Sequence, residues 1–142
     1  MSNIASVYAA IAAWTPTGAG AGHNILAGSG QLTIANADLP KRILLPSTNV
    51  NGEFVMIGTL QKTAWSIRDL CLWAPLGSGS GVEQYSSAML TYIASYLAKV
   101  KAARSPAANC AITGVEAQMG PVPWGEKDYW AVDITVTVEE HI

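Results

Sequence analysis

The sequence predicts an α+β fold: a mostly antiparallel sheet with a short N-terminal helix and one long helix packed on one face. Three observations predict it. Apolar residues recur every three or four positions from Val82 to Val100, which is helical spacing. "YWAVDITVTVEE" (129–140) alternates apolar and polar residues, which is strand spacing. The order helix, arm, two strands, long helix, two strands makes one antiparallel sheet with helices on a single face the economical arrangement.

The 142 residues suit a single domain over 1–142, with an extended arm at about 15–50. Half the residues are hydrophobic, enough for a core, and only 13% are charged against about 25% in ordinary domains. A surface with so little charge points to contact with other protein.

The first element is a helix over 3–14, where Ile4, Val7, Tyr8, Ile11 and Trp14 form one stripe and Thr15-Pro16 ends it. The arm follows, rich in Gly, Ala, Pro and Asn, with room for one or two short strands. "EFVMIGTL" (53–60) reads as a strand opening after the turn signal Asn51-Gly52, and "AWSIRDLCLW" (64–73) as its partner, with the turn around Gln61-Lys62-Thr63. In the second strand Trp65 and Ile67 share one face while strict alternation puts Leu70 and Leu72 on the other. Either a bulge near Arg68-Asp69 or burial of both faces accounts for that pattern.

The long helix spans about 81–104. Val82, Tyr85, Met89, Ile93, Tyr96 and Val100 form its stripe, and Leu97 widens it. Ser80 and Glu83 have capping-box spacing; Lys99, Lys101 and Arg104 suit the negative end of the dipole, before Ser105-Pro106. Two strands, 109–118 and 129–140, complete the fold around the loop "MGPVPWGEKD". In the last strand Trp130, Val132, Ile134, Val136 and Val138 share the buried face, with Asp133, Thr135, Thr137 and Glu139 opposite.

Motifs for chemistry do not assemble. "GSGSG" before the long helix has the position of a phosphate cradle, but no lysine follows it, and it matches neither the dinucleotide fingerprint nor a nucleophile elbow. It reads as a connector. His23, His141, Cys71 and Cys110 are too scattered for a zinc site, and the cysteines read as buried free thiols. Asp69 and Asp133 are not brought together as an acid–base pair and read instead as ion-pair partners across strands or subunits. No basic stripe supports sequence-specific nucleic-acid binding, and no segment reads as a signal peptide or a membrane span. No enzyme and no cofactor is expected, and the chain reads as cytosolic when made. Trp124, in a loop between prolines and charges, reads as a contact anchor together with Glu126, Lys127 and Asp128; Lys41, Arg42, Arg68 and Asp69 complete the candidate interface.

In layout the chain resembles the tail terminator proteins of long-tailed bacteriophages. The likeness rests on the short first helix, an arm ending near "LPKRILLP", the strands at "FVMIGTL" and "WSIRDLCLWAPLG", the long amphipathic helix and the final hairpin. It covers most of the chain and carries no diagnostic motif. It implies a virion protein of the tail and neck: a homo-hexameric ring on the head-proximal end of the tail tube, bound to the tube protein and to the head–tail connector or stopper. The alternatives are another neck component, such as a head-completion, stopper or minor capsid protein, and a small α+β ligand-binding module.

Overall fold

The computed structural model describes residues 4–14, 16, 23–25, 41–45, 50–56, 60–76, 82–124 and 127–141. Among the described residues two helices, α1 (Ile4–Ala12) and α2 (Val82–Ala102), accompany six strands: β1 (His23–Ile25), β2 (Lys41–Leu45), β3 (Val50–Met56), β4 (Leu60–Pro75), β5 (Cys110–Trp124) and β6 (Lys127–His141). The strands form one sheet in the order β1-β2-β4-β6-β5, with β3 beside the first half of β4. All described pairings are antiparallel except β1 with β2. The fold is therefore α+β, as the periodicities predict.

Both helices lie on one face. Val7 and Ile11 of α1 and Met89, Tyr92 and Tyr96 of α2 share a core with Leu44, Trp65, Ile67, Cys71, Trp73, Val132, Ile134, Val136 and Val138. The long helix forms because 82–102 holds neither glycine nor proline, and Lys99 and Lys101 sit in its last turn. Its buried line is shifted slightly from the expected stripe: Tyr92 is fully buried, whereas Leu97 is 46% exposed. The capping-box pair Ser80 and Glu83 and the "GSGSG" loop fall outside the described side chains.

The ladder relocates three turns. Asn51 and Gly52 pair with Ala64 and Thr63, so they lie inside a strand, and Gln61-Lys62-Thr63 is strand rather than turn. β3 and β4 meet instead at Met56 and Leu60. Most of the expected 119–128 loop is also ladder, running to Trp124 opposite Lys127. Propensity failed there because Pro121 and Pro123 lie on β5, the last strand of the sheet among the described residues, where one side of the backbone has no described strand to donate to.

No bulge occurs at Arg68-Asp69. The register with β6 is continuous there and shifts only between Leu72 and Ala74. Burial of both faces is the alternative the structure adopts. On the face away from the helices, Ile43, Leu70, Leu72, Tyr129 and Ala131 form a second cluster, all at most 1% exposed, with Leu45, Val122 and Trp124 packed against it. The remainder of that face is polar and carries the pairs Arg68–Asp133 and Lys62–Glu139.

Candidate functional site

Alternation along β4 sends Asp69 to the same side as Trp65 and Ile67, into the core under the helices. A carboxylate there needs partners, because an unpaired buried charge is very costly. Arg42 faces it from β2, since Arg42 and Cys71 are opposed in the ladder. Its Nε lies 2.9 Å from both Asp69 oxygens, and a terminal nitrogen reaches Oδ2 as well. The two residues are 2% and 0% exposed.

Arg42 does more than neutralise Asp69. Its guanidinium also donates to the carbonyls of Ile11, at 2.9 Å, and Trp14. The Ile11 carbonyl belongs to the last turn of α1, which carries no basic residue of its own, and Trp14 follows just beyond the helix end. A cation from a distant strand thus caps the negative end of the helix dipole. Tyr96 of α2 donates its hydroxyl to Asp69 Oδ2 at 2.8 Å, and its ring lies under the guanidinium carbon, 5.8 Å from the centroid. Trp14 meets that ring edge-on at 5.7 Å. Tyr8 binds the Leu44 carbonyl and so holds α1 to β2 a second time. One ion pair therefore joins α1, α2, β2 and β4.

The electrostatics of the cluster are those of a closed tie. Burial alone would lower the Arg42 guanidinium, but the hydrogen bonds and charge of Asp69 outweigh it and hold it above its ordinary value. Burial, then the Asp69 charge, raises Tyr96 well above its ordinary value, so the hydroxyl keeps its proton and remains a donor. Tyr96→Phe is expected to lower the unfolding free energy by about 1.5–3 kcal/mol, the range for a hydrogen bond to a charged group. Urea denaturation checks this.

Both thiols are free and buried. Burial, with Asp69 next, pushes Cys71 up to about 12; burial, with Glu140 3.5 Å away, pushes Cys110 up to about 11. Native protein at pH 8 is expected to react with a thiol reagent only as fast as it unfolds. The pH dependence follows from the same direction. Above the unfolded thiol value near 9 the unfolded chain sheds protons that the folded chain keeps, so stability falls as pH rises towards 11–12 and the contribution is complete below 9. A melting temperature that stays level through that alkaline window would contradict it.

The residues named from sequence as a surface interface separate into three groups. Arg42 and Asp69 lie inside the subunit, because their strand positions face the helices, and are not surface contacts. Arg68 is exposed and binds Asp133 through both oxygens, at 2.9 and 3.1 Å from Nε and 2.8 Å from a terminal nitrogen. That pairing holds Arg68 above its ordinary value. Asp69 and Asp133 thus both form ion pairs across strands. Trp124 is not an exposed loop aromatic: it ends β5 and packs half-buried on the outer cluster. Lys127 and Asp128 open β6 and are exposed, and the Asp128 carbonyl accepts from the Leu76 amide at 2.9 Å. Lys41 opens β2, its side chain outside the description, and Glu126 lies outside the described residues.

Sequence reasoning missed Tyr8 and Tyr96 as partners of this cluster. A signal existed: Asp69 shares parity with Trp65 and Ile67, and Tyr96 sits in the buried stripe with a hydroxyl that needs an acceptor. Among the described residues no group of three or more Cys, His, Asp or Glu could hold a metal ion, and no helix is long and apolar enough to cross a membrane.

Fold and site define an α+β protein whose buried charges serve as fastenings between its layers. In comparison with known proteins, no family model and no curated sequence matches the chain.

Proposed function

We propose that this chain is a structural subunit of a bacteriophage virion, a tail terminator that works by closing a ring on the head-proximal end of the tail tube. The observation that carries the reading is the use made of the charged groups. In a chain with only 13% charged residues, Arg42, Asp69, Arg68, Asp133, Lys62 and Glu139 are engaged in holding strands and helices together. Such a subunit acts through shape. The α+β layout with both helices on one face supports it further, being the layout the resemblance implies.

In this reading the subunit binds its own copies as a hexamer, then the tube protein on one side and the head–tail connector on the other. A closed ring halts polymerisation because it presents no further growing end. Native mass measurement with and without tail tubes tests it. The expected result is a particle of six subunits bound to tube ends, with virions lacking the protein bearing tails of uncontrolled length. A monomer inert towards tube and connector would overturn it, as would turnover of a small molecule.

A further inference from the structure

We infer that the middle of β5 is an edge that pairs with the same strand of a second copy of this chain, antiparallel, about a twofold axis at Ala117. The argument starts from where the β5 backbone groups point. Pro121 and Pro123 have no N–H, so their ladder pairs with Trp130 and Asp128 are of the kind whose nitrogens face away from the partner strand. The Asp128 carbonyl confirms the phase, since it accepts from Leu76 on the opposite side of β6. Val115, Ala117 and Met119 share the parity of the two prolines, with no register shift between. Their N–H and C=O groups therefore point off the end of the sheet.

That edge has three parts. At its start the Ile112 amide, also turned outward, is taken by the Arg104 carbonyl at 2.7 Å. At its far end the prolines supply no donor. Between them Val115, Ala117 and Met119 present donors and acceptors, and among the described residues no strand but β6 pairs with β5. Natural proteins blunt such edges with proline, charge or a covering element. Among the described residues the two ends are blunted in this way and Glu116 is the one charge between them, which defines the window.

The window matches itself. Centred on Ala117, an antiparallel copy sets Val115 against Met119 and Ala117 against its own counterpart on the helix-bearing face. On the other face Glu116 meets Gln118 of the second copy. No like charges are opposed, and Glu116 already accepts from Gln118 within the subunit, at 3.1 Å. Both side chains are exposed and available. The proposal does not rest on the ring reading, which needs a different, head-to-tail contact; the two used together would join two rings face to face into a particle of twelve.

Ala117→Pro is the direct test. The new ring has the parity of Pro121 and Pro123, so the fold and melting temperature are retained while the central donor is lost from both copies. Self-association by light scattering is expected to weaken about tenfold or more. Gln118→Lys, on the exposed face, is expected to tighten it, and Gln118→Glu to weaken it. Ala117→Cys is expected to form a disulfide-linked dimer on mild oxidation, since directly opposed residues in a hydrogen-bonded pair stand about 5.5 Å apart, within disulfide reach. A folded Ala117→Pro protein that associates like the parent overturns the inference. If that variant fails to fold, an Ala117→Cys protein that does not cross-link overturns it. Six subunits by mass without that cross-link would leave the ring reading standing and remove this one.

Discussion

Replacing Asp69 with alanine is expected to lower the unfolding free energy by about 3–5 kcal/mol, the range for a buried ion pair broken from one side. The loss comes less from the attraction removed than from the cation left behind. Arg42 is 2% exposed and cannot recover water without opening the contact between α1 and the sheet. Tyr96 loses its acceptor at the same time. The double variant Arg42→Met, Asp69→Leu is expected to be much less damaged than the two single changes added together, because it removes both charges. Its remaining deficit reports the lost cap on Ile11 and Trp14. Chemical denaturation of the parent, Arg42→Met, Asp69→Leu and the double variant forms the cycle. An Asp69→Ala protein within 1 kcal/mol of the parent would mean that the pair is solvated and the tie does not exist.

Leu70→Ala and Leu72→Ala are each expected to cost about 2–5 kcal/mol, as much as Ile67→Ala on the helix-bearing face. An ordinary one-sided sheet would make these two positions surface, where substitutions stay within about 0.5 kcal/mol. Here both leucines are 0% exposed and packed with Ile43, Tyr129 and Ala131. The contrast between the two expectations is several kcal/mol, well outside the error of a denaturation midpoint comparison. Leu72→Ala with an unchanged midpoint would return that face to solvent.

Where local pattern alone sets the outcome, the elements were legible. Residues 82–100 read as helix because the stripe, the absence of breakers and the basic last turn agree. Residues 129–140 read as strand because alternation is strict from Val132 to Glu139, and Val132, Ile134, Val136 and Val138 are buried as expected, whereas Trp130 is only half-buried. The errors fell where turn residues were taken at face value. Asn51-Gly52 and the Pro121–Pro123 stretch belong to strands because neighbouring strands supply a ladder, and an edge position accommodates proline.

The candidate site shows the same division. Sequence named Arg42 and Asp69 as important but set them on the surface, since the residues around Arg42 carried no sign of which strand it would join. Pairing β2 beside β4 turned two residues 27 apart into one buried contact. Trp124 was named as an exposed aromatic in a loop, and the ladder sets it instead at the end of β5, half-buried on the outer cluster.

The sequence by itself determined the long helix, the last strand and the α+β class of this protein. Those depend on spacing within a few residues, and spacing is local. Only the tertiary structure decided that both faces of the sheet bury apolar residues, that Arg42 caps a helix from another strand, and that the prolines of β5 lie on the last strand of the described sheet. Each depends on which strand lies beside which. That choice is made by burial and hydrogen bonding across the whole chain, over separations no local pattern spans.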